Sequence, residues 1–241
     1  MSFDNVANYN PIASVYTSFA SKREMETIAL EKLLLPYLPK EAHILDIGCA
    51  NGRTVKTLNM KGYQTTGIDI SEELLRIARL NVPESKFILG DIRELELQPI
   101  YDAVISSDVF CHILNLEELT TVFRKVYAAM HDNGIFGFMT PTADEVWSSK
   151  KFDENRLDFE IIPKIHITDT CVYSERFYNY NEEERIREVK FNGFELIDGV
   201  WQRSDISMLI KDYFESDIKS ALVNVGFIEI NKYDKRDFDG L

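Results

Sequence analysis

The chain's most chemically suggestive spacing is Leu45-Asp46-Ile47-Gly48-Cys49-Ala50-Asn51-Gly52-Arg53-Thr54, set between a short apolar run and a helical stretch. Gly48 and Gly52 permit a tight turn and a close backbone approach to a ligand. The helix start behind them offers unpaired N–H groups to an anionic group. A turn of this kind alone is common to many nucleotide binders. It gains meaning from acids that end the next apolar runs, Asp69, Asp91 and Asp108. A carboxylate at Asp69 is placed to accept from both hydroxyls of a ribose diol. One at Asp91 is placed to accept from an exocyclic adenine amine, with Ile70 and Ile92 on the ring faces. Ser107-Asp108 follows the fourth run, and Asp46 is placed to orient the loop or meet an ammonium. Together these residues outline one elongated, adenosine-bearing ligand.

The elements that must hold them read as an alternation. His43–Ile47 is a short buried strand, Arg53–Met60 a helix, Tyr63–Ile70 a strand, and Ser71 with Glu72 and Glu73 opens a helix as N-cap plus acidic first turn. Phe87–Leu89, Asp102–Ser106 and the run after Asn133-Gly134 supply further strands, with a helix over Leu116–Met130. Strands and helices alternating at this spacing predict a parallel sheet with helices on both faces, the Rossmann-like α/β class. Its ligands bind at the carboxyl rim.

Three outer regions frame this core. Residues 1–40 read as a helical lid, with a helix begun at Ser21 and closed by Pro36 and Pro39. Residues 142–202 read as an antiparallel excursion: Thr170–Tyr180 alternates, and Asn192-Gly193 between Arg185–Phe191 and Phe194–Trp201 predicts a hairpin turn. Residues 203–241 read as a helix over Ser204–Val225 and a last strand, Gly226–Ile230. The expectation is one domain, 1–241, with its core at 41–141.

The 241 residues carry a formal net charge of −13, from 27 Lys+Arg against 40 Asp+Glu. Such a field repels phosphate backbones and acidic lipid surfaces, so neither nucleic acid nor membrane is the expected partner; a cationic or neutral small molecule suits it better. The N-terminus lacks the pattern of a signal peptide, and no apolar run reaches the roughly 18 residues a membrane helix needs. The three cysteines, Cys49, Cys111 and Cys171, are widely spaced, with no Cys/His metal pattern. That points to reduced thiols in a cytoplasm and to no bound metal. The expected assembly is a monomer or homodimer.

Residues 40–141 resemble the class I S-adenosylmethionine-dependent methyltransferases. ILDIGCANGRT is similar to their glycine-loop motif, with Ala50 where a middle glycine is common. GIDIS is similar to the ribose motif, GDI to the adenine-amine motif, YDAVISSDVFCHI to the fourth-strand motif with His112 in its His position, and NGIFGFMTP to the fifth-strand motif. The resemblance implies S-adenosylmethionine as cofactor and S-adenosylhomocysteine as product. It implies cofactor contacts from Asp46, Gly48, Cys49, Ala50, Gly52, Asp69, Ile70, Asp91, Ile92, Ser107 and Asp108. Tyr9-Asn10-x-x-Ala13-x-x-Tyr16 is similar to an N-terminal Tyr-Asp-x-x-Ala-x-x-Tyr lid pattern, with Asn10 in place of Asp. Through it Tyr9 meets the cofactor and Tyr16 faces cofactor and substrate. The layout after residue 141 is similar to small-molecule N-methyltransferases, the amino-sugar N,N-dimethyltransferases and glycine-type relatives among them.

The sulfonium methyl is already activated, so alignment is the enzyme's main task. Tyr16 and His112 are the candidate catalytic residues, with His112 alternatively a histidine packed beneath the site. Tyr16, Trp147, Tyr173, Tyr178 and Trp201 are candidates for an aromatic cage around a methylated ammonium, and Arg23 for the cofactor carboxylate. Amine nitrogen is the preferred acceptor. The alternatives are O-methyl transfer, a cofactor-binding partner protein without catalysis, and a dinucleotide oxidoreductase.

Overall fold

The computed structural model describes residues 9–20, 24–144, 164–233 and 237. Two short helices lead in, α1 (Ala13–Ala20) and α2 (Glu24–Leu33). The core then runs β1 (His43–Ile47), α3 (Arg53–Met60), β2 (Gln64–Asp69), α4 (Glu72–Asn81), β3 (Lys86–Leu89), β4 (Tyr101–Ser107), α5 (Leu116–Ala129) and β5 (Met130–Met139). These strands form one parallel sheet in the order β3-β2-β1-β4-β5, the predicted Rossmann-like α/β arrangement. Because all five run the same way, the ends of β1, β2, β3 and β4 gather at a single rim.

β1 is central, and Ile44, Leu45 and Ile47 are at most 1 % exposed, which is why it reads as an unbroken apolar run. Around Phe110, Phe123, Phe136 and Phe138 the core interlocks edge-to-face and tilted rings at centroid spacings of 4.9 to 5.8 Å. The helices begin where capping chemistry allows. Ser71 Oγ accepts from Leu74 N at 3.2 Å at the start of α4, and Asn115 Oδ1 accepts from Glu117 N and Glu118 N at the start of α5.

A second, antiparallel sheet follows: β6 (Lys164–Ile167), β7 (Cys171–Asn181), β8 (Ile186–Ile197) and β9 (Val200–Lys211), in that spatial order. One face buries Cys171, Tyr173, Val189, Phe191, Met208 and Ile210 against Ile12 and Val15 of the N-terminal segment and Cys111 of the core. This sheet roofs the rim of the first. Tyr213, just past β9, ties the two together: its hydroxyl donates to the Ile113 carbonyl at 2.7 Å, and its own carbonyl accepts from Ala143 N at 2.8 Å.

Three expectations are corrected here. Asn192-Gly193 is not a turn; it sits in mid-strand, and the hairpin turns at Asp198-Gly199, where both residues have positive φ, 50° and 80°. Gly193 serves a different need: a Cβ there would lie 3.0 Å from Val15 Cγ1, so the glycine lets α1 press onto the roof. Next, Ser204–Lys211 is strand. Ile206, Met208 and Ile210 alternate inward with period two, so β9 carries the excursion past residue 202, and the last helix, α6, is Glu215–Val225. Finally, Gly226–Ile230 is not a strand. Gly226 (φ 118°) caps α6, and Glu229 (φ 53°) breaks extension. Phe227 instead packs on Tyr127 and Phe136, and among the described residues β5 is the edge strand of its sheet.

Candidate active site

A cavity of about 610 Å³ lies between the core rim and the roof. The turn after β1 forms one wall. Gly48 has φ 75°, and both its N–H and that of Cys49 donate to the Ile68 carbonyl, at 2.8 and 2.9 Å. A Cβ at Gly48 would lie 2.2 Å from Val109 Cγ2, so only glycine fits the turn. Ala50 also stands in the left-handed region at φ 47°, a strain of about 1–2 kcal/mol for a residue with a Cβ. Its N–H is held by Asp69 Oδ2 at 2.8 Å, while Asp69 Oδ1 accepts from Ser71 N at 2.8 Å. Burial raises the Asp69 carboxyl pKa, and the backbone bonds from Ser71, Ala50 and Ile70 oppose that rise. A carboxylate has about four acceptor positions, so with three backbone bonds in place this one keeps room for one further donor, such as a ribose hydroxyl.

The cavity also receives Ile70, Ile92, Ser107 and Asp108, the last at φ 57°. Asp91 lines it with both oxygens engaged: Arg93 Nε lies 3.0 and 2.9 Å from Oδ1 and Oδ2, and Arg93 N 2.9 Å from Oδ1. Burial pushes the Asp91 carboxyl up, but the Arg93 hydrogen bonds outweigh it and hold the pKa below the ordinary range. An adenine amine would therefore share Asp91 with Arg93. Nothing singled out Arg93 in the sequence beyond its place two residues after Asp91.

The roof and the N-terminal segment close the other half. Tyr9, Tyr16, Tyr173 and Phe191 line it, with Tyr9 and Tyr16 rings 5.3 Å apart, Tyr9 and Phe191 6.3 Å apart, and Tyr173 and Phe191 5.6 Å apart. The Tyr9 hydroxyl lies 3.4 Å from His112 Nε2. Burial lowers the His112 pKa to about 4, against the opposing effect of a hydrogen bond to the Leu209 backbone, so the ring is neutral at pH 7. Arg187 lines the same half, paired with the fully buried Asp212 at 2.9 Å, and Glu175 joins it from β7. Arg187, Glu175 and Phe191 escaped sequence reading because only the strand register shows which face they take.

Some predicted residues fall elsewhere. Trp201 is 49 % exposed beside the β8–β9 turn, an odd position on a strand whose even positions Ile206, Met208 and Ile210 face inward; it is no part of the cavity. Cys49 is buried beneath the loop among Val55, Leu75 and Val82, and Asp46 and Gly52 stand behind the lining. Gly52 lets α3 start close to α4, since a Cβ there would lie 3.0 Å from that of Ala78. Arg23 and Trp147 lie outside the described residues, as does the side chain of Tyr178. Among the described residues no cluster of His, Cys, Asp or Glu is placed to hold a metal, and no helix is long and apolar enough to cross a membrane.

Known proteins share this architecture. A family model described as a methyltransferase domain matches residues 44–134, the stretch from β1 into β5. A putative methyltransferase of Bacillus subtilis, YqeM, is 31 % identical over 135 residues, and the match spans about half the length of each, 54 %. A malonyl-[acyl-carrier protein] O-methyltransferase of Bacillus anthracis is 27 % identical over 76 % of this chain and 67 % of its own. The sugar N-methyltransferase KedS8 of Streptoalloteichus has a similar fold, with a TM-score of 0.70 at 14 % identity over 88 % of this chain and 84 % of its own. Residues 44–134 thus match a methyltransferase domain, and the fold around them is one that solved S-adenosylmethionine-dependent methyltransferases share.

Proposed function

We propose that the protein transfers a methyl group from S-adenosylmethionine to a nitrogen of a small-molecule acceptor. The observation that carries this reading is the aromatic half of the cavity, where Tyr9, Tyr16, Tyr173 and Phe191 stand across from the rim beside a neutral His112. Bound along the rim, the cofactor supplies an electrophilic methyl on a sulfonium. Gly48 and Ala50 hold its amino-acid end, Asp69 its ribose, and Asp91 with Ile70 and Ile92 its base. Ser107 and Asp108 complete that wall.

An amine reacts only through a free lone pair. The chain's part is to bind the amine, turn the lone pair toward the rim and take up the N–H bonds left over. The Tyr9 hydroxyl and the neutral His112 ring are groups that can accept such bonds. Aromatic faces attract an ammonium, and the net charge of −13 favours cationic over anionic acceptors. The fold shared with the sugar N-methyltransferase KedS8 also favours nitrogen. We also place the protein in a reducing cytoplasm, as its three free, buried cysteines suit.

A second reading, O-methyl transfer, is favoured by Arg187, whose guanidinium at the cavity wall would suit an acceptor's carboxylate, and by the matched malonyl-[acyl-carrier protein] O-methyltransferase. Mass spectrometry of amines, guanidines, amino acids, carboxylic acids and phenols incubated with enzyme and cofactor separates the two. Gain of a methyl on nitrogen compounds is the expected result. Methylation of oxygen acceptors alone would replace the first reading with the second.

A further inference from the structure

Asn10 stands between the two tyrosines of the N-terminal segment that line the acceptor half, Tyr9 and Tyr16. Its side chain turns the other way, to the first turn of α4. Asn10 Oδ1 accepts from Ser71 Oγ at 2.7 Å and from Glu73 N at 3.2 Å. It thereby satisfies one of the N–H groups that a helix start leaves without an intrahelical partner. Ser71 N donates to Asp69 Oδ1, and Asp69 Oδ2 accepts from Ala50 N, both at 2.8 Å. A continuous hydrogen-bonded path thus runs from the glycine loop through Asp69 and Ser71 to Asn10.

On its opposite side the same segment is held by apolar packing. Ile12 is 0 % and Val15 3 % exposed, and both sit in the cluster with Tyr173, Val189, Phe191 and Met208 of the roof. The N-terminal segment is therefore the layer between roof and rim, greased to one and bonded to the other.

We infer that Asn10 is a positioning residue, which sets where the acceptor-side tyrosines stand relative to the cofactor rim and carries cofactor binding to them. The inference rests on the methyl-transfer reading. Its physical basis is the sensitivity of methyl transfer to alignment, since a shift of about 1 Å in a reacting pair can cost on the order of 100-fold in rate. α4 does not depend on Asn10 for its start, because Ser71 Oγ already accepts from Leu74 N. The Asn10 contact is thus available for coupling rather than for holding the helix.

The test is hydrogen–deuterium exchange on the full chain with and without S-adenosylhomocysteine. In the wild type, the product nucleoside is expected to slow exchange both in the glycine loop and in residues 9–20. In Asn10→Ala the loop stays protected, while the protection of 9–20 falls by a factor of about 5 or more, the lower end of ordinary coupling between sites. Asn10→Asp, which keeps the acceptor oxygen and adds a charge suited to a helix N-terminus, restores it. Asn10→Ser, polar but too short to reach both donors, gives the same loss should the alanine variant fold poorly. Full protection of 9–20 in the alanine and serine variants overturns the inference. Absence of any nucleoside binding by the wild type overturns the methyl-transfer reading itself.

Discussion

The rim and the roof of the cavity are built on opposite plans. The rim is backbone: turns at positive φ, N–H groups and strand-end carboxylates brought into line by parallel register. The roof is side chains on one face of an antiparallel sheet, aromatic and apolar with Arg187 and Glu175 set among them. On the methyl-transfer reading, the backbone site would recognise what every substrate pair shares, the nucleoside. A side-chain face can change its letters without losing its fold, and so it can specify the acceptor.

Four changes test this division, beginning with the largest effect. Gly48→Ala puts a Cβ 2.2 Å from Val109 Cγ2 at φ 75°. Backbone strain of about 1–2 kcal/mol and overpacking of about 1–3 kcal/mol then fall on the loop itself. Calorimetry with S-adenosylhomocysteine should show affinity lost by 100-fold or more, a few kcal/mol on this scale, with the roof's aromatic circular dichroism unchanged. Loss of both would mean that rim and roof are not separable.

Asp69→Ala removes the acceptor of the Ala50 and Ser71 N–H bonds and the proposed ribose ligand. Nucleoside affinity should fall by about 1.5–3 kcal/mol, the range for hydrogen bonds to a charged group. Wild-type affinity would remove Asp69 from the cofactor site.

Gly193→Val strikes the roof instead. Its Cβ meets Val15 Cγ1 at 3.0 Å, so α1 must give way, at a cost of about 1–3 kcal/mol. The expected outcome is a lower Tm and reduced turnover with nucleoside affinity within a factor of about 3, less than 1 kcal/mol. A parallel loss of affinity would show the roof to be part of the cofactor site.

The smallest effect is a pH dependence. His112 is held to a pKa of about 4 when folded and returns to about 6.5 when unfolded. The unfolded chain then binds more protons below pH 6.5, so this contribution is complete above that pH and is lost as pH falls through 4. For a ring that water reaches in part, the amount is on the order of 1 kcal/mol. His112→Gln should flatten stability over that window in urea titrations, and an unchanged slope would show the ring already charged in the folded protein.

Legibility in the sequence followed the same division. The strand–glycine turn–helix unit, the acids at Asp69 and Asp91 and the cap at Ser71 were readable because each depends on neighbours within a few residues. Asn192-Gly193 and Asp198-Gly199 both carry a hairpin signal, and local chemistry does not rank them. Docking of Val15, far away in the chain, claimed the first glycine for packing and left the turn to the second. Ser204–Lys211 carries no strand signal of its own, because its inward face acquires meaning only against β8.

By itself, then, the order of residues determined the glycine turn and the carboxylates of the rim, since positive φ, capping and buried-strand periodicity are local demands of the backbone. Tertiary structure decided the acceptor side: which aromatics face inward, that Trp201 does not, and that Arg93 and Arg187 stand at the wall in ion pairs. A strand's two faces are interchangeable until a partner is packed on one of them, and that choice is made by contacts between residues distant in the chain.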